Sequence, residues 1–368
     1  MKKVITRSAI FNDEAQVNNL CRRNGLAGEG CDQAWHWIWK NNKFYSSKWI
    51  IGWVLEFDKE IVGYIGNIPR QYTFNNKNWT AGVARSFVVD KEYRKHSLKL
   101  ISRFFQQKEA DLFIFSSAND LSSSVYKIAK AKPIPQDNYN NDLFWIVTPF
   151  SFTLSFLRKK NFPKVFVFLS AILIYPFILL ESLIRNRWQE NSNCTIEIVN
   201  PKLLTNNFDE FWHNIKNSNL SKMLSIRDRE AILWQYDNCS SKNRKPVFFI
   251  LSIGEKIYGY MIISHIISKE FKAKRIIIDD LIVCDDDPSF IRCLTREAFL
   301  YAKANKIDLL QVTGLTDEVR NSLSMEKPFS RKYSYSRFWY FAVNHDLKQP
   351  LKEKTTWCAS MFDGDSTI

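Results

Sequence analysis

Residues Gly52–Pro69 read GWVLEFDKEIVGYIGNIP, and Pro246–Ile266 read PVFFILSIGEKIYGYMIISHI. In each, an apolar run meets a turn, Asp58-Lys59-Glu60 or Gly254-Glu255-Lys256, and a second run comes next that carries a Gly-Tyr pair. Apolar runs broken by such turns predict β-hairpins. The segments downstream of the two hairpins match as well. ARSFVVD (Ala84–Asp90) and IIIDDLIVCD (Ile276–Asp285) predict buried strands. YRKHSLKLISRFFQQKEA (Tyr93–Ala110) and SFIRCLTREAFLYAKANK (Ser289–Lys306) place apolar residues at helical spacing. DLFIFSS (Asp111–Ser117) and DLLQVTG (Asp308–Gly314) are short strands opened by Asp-Leu, and AWHWIWK precedes the first hairpin as AILWQYD precedes the second. Repetition at this scale predicts two copies of one α/β unit with mixed sheets, at 1–150 and 195–345. An apolar and basic helical connector at 151–194 joins them, and 346–368 form a final strand and tail.

The 368 residues exceed one ordinary domain. With 45% hydrophobic and 24% charged residues the chain is globular in composition, and it is rich in aromatics, with 12 Trp and 28 Phe. A net charge of +14 favours anionic partners: a nucleotide cosubstrate, a nucleic acid or an anionic membrane surface. The seven cysteines are odd in number, include no C-x-x-C pair and come after no apolar leader, which predicts a cytoplasmic protein. No two histidines stand at i, i+4, so no metal site is expected.

A hairpin feeding a strand, a helix and a parallel strand resembles the GNAT acyl-CoA N-acyltransferase superfamily. The resemblance implies acyl-CoA, most simply acetyl-CoA, held where the parallel strands splay, with its pyrophosphate on the start of the next helix. The corresponding positions are Val88 and Val89 at the strand end, then Arg94, Lys95, His96, Ser97 and Lys99, where the family carries glycines that this chain lacks. NDLSSSVYKIAKA (Asn119–Ala131) resembles the family's last helix, Asn-x-x-Ala-x-x-x-Tyr. That implies Asn119 on the cofactor side and Tyr126 as the general acid that protonates the leaving thiolate. The same residues also fit a packed tyrosine and a plain helix cap. The second copy shows neither residue after DLLQVTG, and its helix opens on Asp285-Asp286-Asp287, which would repel a pyrophosphate. It resembles a degenerate copy, as in tandem proteins of bacterial surface-polysaccharide biosynthesis.

Asp280, in an apolar strand, is a candidate acceptor-side base, since burial raises a carboxylate pKa. Glu56 is a second carboxylate, expected at the surface, while His36 is expected in an aromatic cluster and His96 in solvent. The connector is uncharged from Val165 to Leu180 and contains Pro176, short of the roughly 20 residues of a membrane span. Arg158, Lys159, Lys160 and Lys164 precede it, and Arg185 and Arg187 lie beyond it. It suits either an interfacial helix pair at the inner membrane face or an apolar helix buried between the two domains. The function implied is direct acyl transfer to an amine or hydroxyl of a small-molecule or lipid-linked sugar acceptor. The alternatives are a Fem-type transferase using aminoacyl-tRNA, and a non-catalytic scaffold or lipid-associated module.

Overall fold

The structure, a computed structural model, describes residues 3–26, 31–186, 194–237, 244–268 and 272–368. The strands are β1 (Ile5–Ser8), β2 (Gly52–Phe57), β3 (Glu60–Phe74), β4 (Lys77–Val89), β5 (Leu112–Phe115), β6 (Lys132–Pro133), β7 (Asn141–Ile146), β8 (Thr195–Val199), β9 (Leu224–Ser225), β10 (Arg244–Ile253), β11 (Lys256–Ile267), β12 (Lys274–Val283), β13 (Leu309–Val312), β14 (Phe329–Lys332) and β15 (Trp339–Ala342). They form two mixed sheets, ordered β1-β2-β3-β4-β5-β15-β6, with β9 on β3, and β14-β7-β13-β12-β11-β10-β8.

Both expected hairpins form. The β2–β3 turn places Asp58 and Lys59 at positive φ, and the β10–β11 turn uses Gly254 at φ +59°. Positive φ at the central residues matches the twist of the flanking strands. The third strand of each set pairs antiparallel to the hairpin and parallel to the next strand: β4 with β5, β12 with β13. The helices after β4 and β12 supply the crossovers that parallel strands require.

The compact units do not divide the chain at 150 and 195. One comprises Met1–Asn140, Lys216–Lys242 and Tyr333–Ile368, the other Asn141–Ile215 and Asn243–Lys332. Strand β7, expected with the first copy, pairs with β13 and β14 in the second unit's sheet. Strand β15 pairs with β5 in the first unit's sheet. The AILWQYD helix (Arg229–Asp237) also belongs to the first unit, where its Trp234 carbonyl accepts from Trp37 Nε1 at 2.9 Å and Gln235 accepts from buried Arg70 at 2.8 Å. The strand expected in 346–368 is instead a series of short helical turns with a lone bridge from Trp357 to Met223. Trp357 packs edge-on against Phe338 and donates its indole N–H to Leu351 O, which favours a turn at that point.

Aromatics fill the first unit's core. Phe104 meets Phe113 at 4.8 Å and Trp53 at 5.9 Å, and Trp39 and Trp49 both donate to Asn67 O. The first unit's helices also include α1 (Glu14–Arg23), α2 (Cys31–Lys40), α3 (Ser97–Phe104) and α4 (Asp120–Ile128). In the second unit the connector forms α5 (Pro149–Lys159) and α6 (Lys164–Arg185), a helical hairpin packed through Leu157, Val167 and Ala171. Helix α6 runs through Pro176 and includes the Glu181–Arg185 ion pair, so it is longer than the uncharged stretch suggests. Among the described residues it is the one helix long and apolar enough to cross a membrane. Of its apolar window 17% is buried.

Candidate functional site

The parallel pairing of β4 with β5 spans only Ala81–Val83 and Leu112–Ile114. Strand β4 then runs on to Val89 without β5, while the far edge of β5 is taken by β15. At the point of separation the β3–β4 register slips between Tyr64 and Gly66, and Ser86 adopts φ +52°. A bulge bends its strand and re-aims its polar groups, which accounts for the end of β4–β5 pairing at Val83 and Ile114; the divergence beyond them is the candidate cleft.

One end of that cleft is basic. Val88 and Val89 bury their side chains, leaving only backbone to face a ligand. Asp90 is pinned by Arg23 and Asn24, so the next turn, Lys91–His96, is anchored at its root. Helix α3 begins at Ser97 and no side chain caps its start. The Ser97 N–H bonds back to Arg94 O in the preceding turn, and the positive dipole end of the helix lies beside the exposed side chains of Arg94, Lys95 and Lys99. Desolvation, then Lys99 and Lys95, hold the His96 imidazole below its ordinary pKa. The second unit is built oppositely at this position. Asp287 caps the helix Pro288–Ala304, accepting from Ser289 N at 2.7 Å, so a protein carboxylate occupies the place of a bound anion.

The middle of the cleft is aromatic. Tyr126 is 5% exposed and stacks on Phe115 of β5 at 4.1 Å, with Phe87 of β4 at 5.8 Å and Trp339 of β15 at 6.4 Å. Burial, then the charge of Asp365, push its phenol pKa up against a hydrogen bond with Ser122. At neutral pH the phenol is protonated and can donate. Asn119 is the helix cap: its Oδ1 accepts from Ser122 N and its N–H donates to Ser122 Oγ, both at 2.9 Å. That reciprocal box fixes the start of α4 and so the position of Tyr126.

Sequence reasoning missed the segment Gly364–Ile368, which touches both sides of the cleft. Asp365 accepts from Ser117 Oγ at 2.8 Å and Ser116 Oγ at 3.3 Å, just beyond β5, while Arg85 of β4 donates to Ile368 O at 2.9 Å. A Cβ on Gly364 would stand 2.2 Å from Ser116 Oγ, so only glycine fits there. The segment is held from behind by the buried pair Arg227–Asp363 and by Gln235, which donates to Phe362 O. Its signals were the Asp-Gly-Asp near the chain's end and the Ser-Ser after β5, but nothing local connects them.

Asp280 belongs to the second unit's sheet. It is 1% exposed and accepts from Tyr260 Oη at 2.5 Å, so its carboxylate is committed inside the core. Glu56 pairs with Arg7, and His36 stacks on Phe11. Among the described residues no group of three His, Cys, Asp or Glu side chains could hold a metal ion.

No family profile and no curated protein sequence matches the chain. Solved structures do. A GCN5-related N-acetyltransferase from Anabaena variabilis aligns with a TM-score of 0.60 at 12% identity, over 93% of this chain and 73% of its own. A probable N-acyltransferase of unknown function from Enterococcus faecalis aligns at 0.59 and 10% identity, over 96% and 75%. The N-myristoyltransferase of Saccharomyces cerevisiae, solved with bound myristoyl-CoA, aligns at 0.55 and 12% identity, over 92% and 82%. At such identities the likeness is one of fold.

Proposed function

We propose that this chain, built on the N-acyltransferase fold, is an acyl-CoA-dependent acyltransferase whose working cleft is the β4–β5 opening of the first unit. In this reading the two units are a tandem pair and only the first takes the cosubstrate. The observation that carries it is the contrast between helix starts: α3 opens uncapped among Arg94, Lys95 and Lys99, whereas its counterpart is capped by Asp287. A pyrophosphate finds donors and positive charge in the first and a carboxylate in the second.

The cleft sets the chemistry. The thioester lies along the β4 edge that β5 does not cover, where free backbone groups can orient its carbonyl. An acceptor amine or hydroxyl attacks that carbonyl, the C–S bond breaks, and the leaving thiolate takes the proton of Tyr126 Oη. Asp365, the carboxylate whose charge reaches Tyr126, receives the acceptor's proton. Direct transfer suffices, and acetyl-CoA is the simplest donor. A lipid-linked or soluble sugar precursor of the cell envelope is the proposed acceptor class, supported by the sequence resemblance and the exposed apolar hairpin of the second unit.

Thermal-shift titration of the full chain tests the reading. Acetyl-CoA and free CoA should raise Tm by mass action, and bulk tRNA should not. Stabilisation by tRNA alone would favour the aminoacyl-tRNA alternative and overturn the assignment.

A further inference from the structure

The second unit carries a cavity that acyl transfer does not use. It measures about 490 Å³ and lies between α5 and strands β7, β13 and β14. Phe152 and Phe156 give it an apolar wall, and Lys159, Lys160, Arg275 and Arg331 bring four cations to it. Of its two carboxylates Asp142 is engaged, and Asp308 is engaged through Oδ2 while its buried Oδ1 has no hydrogen-bond partner. Asp142 accepts from Thr313, Gln311 and Arg331, and Asp308 accepts from Lys274 N and Ser155 Oγ. The wall is therefore net positive. Desolvation, then Arg331, Arg275 and Lys160, hold the Lys159 ammonium below its ordinary pKa.

The cavity sits at the root of a large apolar surface. Leu173 is 73% exposed and Phe177 72%, and Val165, Leu169, Leu180 and Leu183 extend the same unpartnered face. Phe156 both lines the cavity and joins this exposed surface. The chain enters the hairpin from β7 and leaves it for β8, strands of one sheet, and Ser182 and Asn186 tie the end of α6 to Ile146 O at 3.0 and 2.9 Å. Both ends of the hairpin are thus on the same side of whatever it enters. A helix with that connectivity lies in a membrane face and does not carry the chain across.

We propose that the α5–α6 hairpin seats the second unit monotopically on an anionic bilayer, and that the cavity ringed by Lys159, Lys160, Arg275 and Arg331 takes the phosphate headgroup of a lipid there. Exposed apolar side chains enter the acyl boundary, and the cations meet phosphate at the depth where anionic headgroups lie. All of these residues belong to the second unit, so the inference stands whether or not the first unit binds CoA.

Flotation of the full chain with phosphatidylcholine vesicles, with and without a quarter of phosphatidylglycerol, tests it. Binding should be at least tenfold stronger to the anionic vesicles and should weaken with salt. Lys159 and Lys160 are exposed, so K159Q/K160Q keeps the fold, checked by circular dichroism, and should lose most of that preference. L173Q/F177Q should lose binding to both vesicle types. Soluble glycerol phosphate should compete more strongly than sodium chloride at equal ionic strength. Absence of flotation by the parent chain would overturn the proposal, and so would an unchanged anionic preference in K159Q/K160Q. A thermal shift with inorganic phosphate, without flotation, would assign the cavity to a soluble phosphate and overturn the lipid assignment.

Discussion

Tyr126 loses one oxygen on substitution by Phe and keeps its stacking on Phe115. Folding and CoA affinity should therefore change little, while kcat should fall by about 10²–10⁴-fold, the usual contribution of general acid catalysis. Steady-state kinetics separates the two, since loss of a group acting in the transition state appears in kcat and not in KM. Full activity in Tyr126→Phe would reduce the tyrosine to packing. Gly364 is constrained differently. Gly364→Ala drives a methyl into Ser116 Oγ and Cβ, an overpacking that costs about 1–3 kcal/mol, and should lower both Tm and turnover. Adding Ser116→Gly makes room and should restore part of the stability. His96 supplies a probe without substitution. An anion at the start of α3 favours the charged imidazole, so its depressed pKa should rise when CoA binds, measured by NMR titration of the ring protons.

Helix starts carry the distinction between the two units. Arg94→Glu with Lys95→Glu places negative charge at the uncapped start of α3 and should weaken CoA binding at least tenfold by calorimetry. Asp287→Ala removes a cap in the second unit and should cost about 1 kcal/mol of stability with CoA affinity unchanged. The reverse pattern would move the site to the other sheet. Asn119, which its sequence context fits both as a cofactor contact and as a cap, is visibly a cap. In the proposed reading capping also serves catalysis, because the box with Ser122 sets where α4 begins and hence where Tyr126 stands.

Across the whole molecule the chain interleaves, and this has a direct test. A fragment of residues 1–150 lacks β15, the helix Arg229–Asp237 and the segment Gly364–Ile368, all parts of the first unit. It should show no cooperative thermal transition by circular dichroism, and a sharp one would contradict the division. The amino-acid sequence by itself determined the two hairpins, the parallel pairs, the helices that cross between them and the likeness to the N-acyltransferase fold. Those features rest on short-range physics: alternation along strands, helical spacing, and turn residues such as Asp58-Lys59 that accept positive φ. Tertiary structure alone decided that β15 completes the first sheet and β7 the second, that Asp365 meets Ser116 and Ser117, that Asp280 is locked to Tyr260, and that α6 lies exposed. The reason is that a strand edge accepts any segment able to pair with it. The entropy of closing a longer loop grows only slowly with length, so a partner more than two hundred residues away costs little more than a near one and leaves no local mark.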